Sequence, residues 1–300
     1  MSSVSSEPAL SGNLRGMLWM LLTALLLTAV AALNKYLGAT LPVAEIVFFR
    51  MAVGVAFLLP WMLRHGFSGL LTRRIGLHFV RAALGIGSYV LYVYALSNML
   101  LANAMALAFT TPLWMILVSW IALEDKAGWR RGLATLVGFA GVLVIARPDV
   151  EITLASVAAL ACAFLLSLAM IAVKRLSSTE SPAQIAFYVQ VFGVLFTAPN
   201  TILSWQMPAP SEWTVLLIIG VIGTAGLVTQ AKAYAAGSPT AVAPVDFTRL
   251  PLAILLGMTF FGELPDAASI TGMLLIIAAI FFISRRERRL GKSSAKTAEG

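Results

Sequence analysis

Asp246 and Arg249 lie in the stretch PVDFTRLP, residues 244–251, inside a run from 240 to 262 that is otherwise apolar and long enough to cross a bilayer. A carboxylate and a guanidinium three residues apart share one helical face, where they neutralise each other. Each charge costs roughly 2.5 to 3.5 kcal/mol at the centre of a spanning helix, while a large apolar residue returns only about 0.3 to 0.6 kcal/mol. Insertion of this segment is therefore marginal, and its charged face should look into protein or a wet cavity. In such a cavity the pair can hold a polar solute. Asp246 is also the candidate for carrying a coupling proton.

Two prolines mark the same region. Pro251 leaves the carbonyl of Phe247 without its helical donor, and Pro112 does the same to Ala108. Freed backbone groups are tolerated at membrane depth beside water, ligand or a rescuing side chain. Two readings follow: a binding site opened by two broken helices, or packing kinks closed by neighbours such as Thr110, Thr111 and Thr248. Helical spacing places Asn103, Thr110 and Trp114 on one face of the fourth span, and Arg81, Ser88 and Tyr92 on one face of the third. Gln230, Lys232 and Tyr234 of the eighth span fall near the depth of Asp246, across the turn Gly237-Ser238-Pro239. Lys232 is either a partner of Asp246 or a cation reaching the membrane surface. Arg50 lies too deep in the second span for a surface charge, and its five-residue spacing from Glu45 is poor for a pair. It bonds carbonyls of a neighbouring span or meets the solute.

Other chemistry is scarce. Cys162 is the single cysteine, which excludes an intrachain disulfide, and neither His65 nor His78 has the neighbours a metal site needs. No nucleophile elbow, phosphate-cradling loop or zinc spacing is present. The sequence gives no reason to expect an enzyme, a cofactor, a bound metal or a nucleic-acid partner.

With 60% hydrophobic and 11% charged residues, the chain departs far from a soluble globule. Its long segments are apolar all round, as a membrane span is. Runs near the length of a bilayer core predict ten spans, at about 16–36, 43–63, 77–97, 101–123, 130–146, 153–173, 183–204, 213–236, 240–262 and 267–284. The first run resembles a signal peptide over Leu18 to Leu27, but it stays apolar to Leu33 and is read as a span. With the N-terminus inside, the inner loops and tail hold fifteen Lys and Arg against two, Lys35 and Arg147, outside. By the positive-inside rule both termini are cytoplasmic. Residues 286–300 read as a disordered basic tail.

A shift of 139 residues aligns the chain with itself. It pairs Phe48 with Phe187, Gly54 with Gly193, Phe57 with Phe196, Pro60 with Pro199, Gly87 with Gly226, Pro112 with Pro251 and Glu124 with Glu263. Five is odd, so two five-span halves enter the membrane in opposite orientations, as inverted repeats of secondary transporters do. The fold class expected is an all-α membrane protein, ten transmembrane helices in two inverted five-helix repeats, 14–147 and 153–285. Glu124 and Glu263, as repeat mates at span ends, are expected to fasten loops or helix ends.

PLWMILVSWIALEDKAGWRRGLATLVGFAGVLVIARP and LPLAILLGMTFFGELPDAASITGMLLIIAAIFFI resemble the two EamA-like repeats of the drug/metabolite transporter superfamily, and PVAEIVFFRMAVG resembles that family's second span. Asp125 departs from the pattern, where a basic residue is usual. The resemblance implies ten helices, cytoplasmic termini in a bacterial inner membrane, and a central cavity lined by the first, third, fourth, sixth, eighth and ninth spans. It implies secondary transport of a small organic metabolite by alternating access: an amino acid, or a riboflavin-like or S-adenosylmethionine-like solute. The residues themselves suit a planar or zwitterionic solute. The alternatives are an exporter of broad specificity, a lipid flippase, a membrane-embedded enzyme and a scaffold or receptor subunit. Monomer and homodimer are both compatible with the sequence.

Overall fold

The computed structural model describes residues 9–64, 72–122, 129–146, 153–237, 242, 245–279 and 281–282. Glu124, Asp125, His65, Arg147, Ser238, Pro239, Pro244 and the tail 286–300 lie outside the described residues. The described residues form helices and no strand. The first half contributes α1 (Ala9–Leu37), α2 (Val43–Arg64), α3 (Ile75–Asn98), α4 (Leu101–Ala108), α5 (Thr111–Ala122) and α6 (Trp129–Ala146). The second contributes α7 (Leu154–Leu176), α8 (Pro182–Leu203), α9 (Pro210–Ala236), α10 (Arg249–Phe261) and α11 (Ala267–Ala279).

Local chemistry sets several of these ends. Ser181 Oγ accepts from the Gln184 amide at 3.2 Å with Pro182 at the first helical position, so α8 starts with an orphan donor satisfied. Gly262, at φ 64°, closes α10 in the left-handed conformation, and the Glu263 amide folds back to the Gly257 carbonyl at 2.9 Å. That turn aims the Glu263 side chain at the rest of the bundle.

Six helices among the described residues are long and apolar enough to cross a membrane: α1, α2, α3, α7, α8 and α9. The other four expected spans are shorter. The expected span 101–123 is two helices, because the chain turns at Phe109 and Thr110 ahead of Pro112. The expected span 240–262 has the same defect at Phe247 and Thr248 ahead of Pro251. A proline removes one helical bond and crowds the preceding turn, so helicity stops before the ring itself. α6 and α11 contain apolar cores at Leu136–Ile145 and Ala267–Ala279.

The two halves pack by exchange. α1 lies along α9 and α3 along α7; α1 and α7 begin their halves, and α3 and α9 are each third, so this is one contact formed twice. The same exchange turns the α2 to α9 contact into that of α8 with α3, and maps the α2 to α8 contact onto itself. Individual residues obey it. A methyl on Gly54 would strike Gln190, and one on Gly193 would strike Met51 at 2.7 Å, so each repeat-mate glycine opens room for the other's neighbour three residues back. Where α6 crosses α11, added Cβ atoms at Gly141 and Gly272 would come within 2.7 and 2.6 Å of each other's backbone carbonyls.

The core centres on α4, whose residues 101–107 are all buried. Large apolar side chains are exposed around the bundle, among them Leu18, Leu136, Leu195, Leu203 and Phe260. A bilayer covers such a surface at no cost, whereas water would not.

Candidate solute-binding site

Asp246 and Arg249 point into protein. Their side chains are 19% and 17% exposed, and Arg249 Nη1 lies 3.6 Å from Asp246 Oδ2. The pair is loose. Asp246 Oδ1 and Arg249 Nε are buried without hydrogen-bond partners, which leaves one acceptor and one donor directed into the bundle.

Both sit at the break that precedes α10, and the matching break of the first half lies against it. Phe109, in the turn between α4 and α5, stacks at a tilt on Phe247, with ring centroids 5.6 Å apart. The Arg249 guanidinium lies 5.2 Å from the Phe109 ring. The structure also shows where the freed carbonyls go. Thr111 Oγ1 donates to the Ala108 carbonyl at 2.8 Å, and the Leu250 amide donates to that of Phe247 at 3.1 Å. The breaks are thus closed internally by a threonine and a tight turn, while the side chains of the broken segments face the interior.

An aromatic array continues from this point. Tyr92 lies within electrostatic range of Arg249 and Asp246 and next to Tyr89, with ring centroids 6.4 Å apart. Arg50 covers the far face of the array, 4.1 Å from the Tyr89 ring centroid. Asn34 Nδ2 donates to the Tyr89 hydroxyl at 2.6 Å. Asn34, Tyr89, Phe109 and Phe247 were not singled out by the sequence reading: an aromatic or amide in an apolar span carries no periodic signal of its own.

The remaining candidates make contacts of their own. Ser88 Oγ donates to the Cys162 carbonyl at 2.9 Å and fastens α3 to α7. Asn103 donates to Ser269 Oγ at 3.1 Å, and Trp114 sits edge-on between Phe139 and Phe164 with its indole nitrogen unpartnered. Thr110 Oγ1 donates to the Leu107 carbonyl within its own turn. Arg81 lies near the start of α3, folded over Gly85 and within electrostatic range of His78. Lys232 is exposed and rests 4.8 Å over the Trp19 ring, while Asp246 pairs with Arg249. Gln230 is half-buried and Tyr234 is 41% exposed, the latter still within electrostatic range of Asp246. A separate, mostly apolar cavity of about 640 Å³ lies between α2, α3 and α8, lined by Pro42, Phe79, Ile86, Phe196 and Asn200. It does not reach Asp246 or Arg249.

Both ends of the bundle are bridged between halves. α2 starts at the α1 to α2 turn and ends at the α2 to α3 connection, so these lie at opposite ends. At the first end Thr40 Oγ1 donates to Glu212 Oε1 at 2.5 Å, and Glu45 Oε2 accepts from the Gln206 amide at 3.2 Å. At the second Thr72 Oγ1 donates to Glu180 Oε1 at 2.7 Å, and His78 Nε2 lies 3.9 Å from Glu180 Oε2. The two threonine–glutamate bonds correspond under the exchange of halves, with acid and hydroxyl swapped. Glu263 fastens helix ends, as expected from its place at a span end: Oε1 pairs with Lys35 Nζ at 2.7 Å, and Oε2 accepts from the Leu101 amide at 2.7 Å at the start of α4.

A model of the EamA-like transporter family matches residues 14–147 and again 153–285. A riboflavin transporter of Vibrio cholerae is 31% identical over 92% of this chain and 97% of its own length. An S-adenosylmethionine uptake transporter of Rickettsia prowazekii is 28% identical over 94% of this chain and 96% of its own. A pseudopaline exporter of Pseudomonas aeruginosa is 31% identical over 91% and 97%. One crystal structure superposes with a TM-score of 0.62 at 20% identity, covering 90% of this chain and 98% of the other, which speaks for the fold alone.

Proposed function

Because the chain belongs to the EamA-like transporter family and is a multi-pass membrane protein, we propose that it carries a small organic solute by alternating access, held at the Asp246–Arg249 break. Ten spans in two inverted repeats, with both termini cytoplasmic in a bacterial inner membrane, are the architecture this requires. Two features support it. The halves pack by two-fold exchange, and the bridges at the two ends correspond under the same exchange. Two halves that trade conformations open one end and then the other. The relatives' names point to transport rather than catalysis.

The carrying observation is the loose ion pair at the break before α10, which packs against the mated break of the first half: a largely buried carboxylate and guanidinium each keep an unused hydrogen-bonding atom. The aromatic faces of Phe109, Phe247 and Tyr92 beside it suit a planar or zwitterionic metabolite, of the riboflavin or S-adenosylmethionine kind. Asp246 Oδ1, an acceptor without a donor, is the coupling candidate for a proton.

Flux into proteoliposomes tests the reading, with a metabolite panel that includes riboflavin and S-adenosylmethionine. Saturable uptake that is lost in Asp246→Asn and in Arg249→Ala supports the site. Flux untouched by both substitutions removes it.

A further inference from the structure

Arg50 carries a charge that the described residues do not balance. Glu45, five residues earlier, turns away to the Gln206 amide, and no described carboxylate lies within ion-pair distance of Arg50. Its Nε is buried and unpartnered, and so is Asn34 Oδ1, on the residue that donates to the Tyr89 hydroxyl beneath it. The face of Tyr89 meets part of the guanidinium's electrostatic demand, but a ring offers no hydrogen-bond acceptor in its plane. α9 passes Arg50 with a glycine: a methyl on Gly223 would lie 3.2 Å from Arg50 Nε. Backbone rather than side chain therefore borders the guanidinium on that side.

An unpaired guanidinium among helices is costly unless an anion joins it, and its fork geometry selects carboxylate or phosphate. Arg50 stacks on Tyr89, Tyr89 lies beside Tyr92, and Tyr92 is within electrostatic range of the Arg249–Asp246 pair. We propose that Arg50, stacked on Tyr89, whose hydroxyl Asn34 holds, is an anion subsite that seats the carboxylate or phosphate of the transported solute. The planar part lies along Tyr89 and Tyr92, and a donor group reaches Asp246. The inference rests on the carrier reading above and adds a chemical class and an orientation to it: an anionic group joined to a planar ring.

Matched probe pairs test it on the full-length protein in nanodiscs: S-adenosylmethionine against its decarboxylated form, and flavin mononucleotide against riboflavin. In at least one pair the anionic member is expected to bind about tenfold tighter, the worth of one charge-assisted hydrogen bond. Arg50→Gln should erase that preference, and Arg50→Lys should keep part of it. Gly223→Ala, which crowds the guanidinium without removing it, should weaken the preference and covers the case of a misfolded Arg50→Gln. No preference in either pair, or a preference that survives Arg50→Gln and Gly223→Ala, overturns the subsite. Equal binding of charged and neutral members that still requires Asp246 would sink the anion subsite alone and leave the carrier standing.

Discussion

The rings of Phe109 and Phe247 meet 5.6 Å apart, each in the turn that ends helicity ahead of a repeat-mate proline. The two breaks are therefore one structural unit built from both halves. Nothing in it needs a ligand to close the backbone, because Thr111 and the Leu250 amide already satisfy the freed carbonyls.

Healing the breaks should accordingly cost function rather than stability. A proline within a straight helix is unfavourable by about 3 kcal/mol relative to alanine. Pro112→Ala and Pro251→Ala are expected to leave the melting temperature unchanged or raised, while flux in proteoliposomes falls at least about tenfold. A fall in melting temperature with flux intact would assign the prolines to packing.

Glu263 is a different kind of residue. Removing its charge leaves the Lys35 ammonium to the Leu96 and Met99 carbonyls, at 3.0 and 2.6 Å. Glu263→Gln, which keeps an acceptor for the Leu101 amide but not the counter-charge, should destabilise by about 1 to 3 kcal/mol, whereas Glu263→Leu with Lys35→Met should recover part of the loss. Denaturant unfolding in detergent measures both.

The crossing of α6 and α11 allows little. Gly141→Val drives a branched side chain into the Gly272 carbonyl, and about 1 to 3 kcal/mol of overpacking strain is expected, read as a lower melting temperature. The exposed Leu136→Val on the same helix should have little effect.

The end bridges make a prediction about turnover. In a Cys162→Ser background, short reversible cross-links between cysteines at 40 and 212, or at 72 and 180, should each stop flux, and reductant should restore it. Full activity with either end locked would rule out alternating opening.

Much of this was legible in the sequence because its constraints are local. Proline breaks a helix wherever it falls, glycines at matched spacing mark close approach, and a buried charge must find a partner. Those rules located Pro112, Pro251, Gly54, Gly193, Asp246 and Arg249. What they left out depends on which way a face turns. Ser88 shares a helical face with Tyr92, and both lie near Cys162 of α7, yet the Ser88 hydroxyl is spent on the Cys162 carbonyl, which spacing alone does not tell. Lys232 is drawn to Trp19, and Arg50 is stacked on a tyrosine that no pattern distinguishes from an interface anchor. Helix length was the weaker guide: 101–123 is long and apolar enough for one span, yet the chain turns at Phe109 and Thr110, ahead of the Pro112 that marked the break.

Gly54 opposes Gln190 and Gly193 opposes Met51, so equivalent positions of the two halves are filled by an amide in one case and a thioether in the other. A pair of identical five-helix chains would have to place the same side chain in both pockets. The fused gene is free of that obligation, and it has used the freedom: neither half is a spare copy of its sibling, and a protein assembled from two first halves or two second halves would lose one of the two fits.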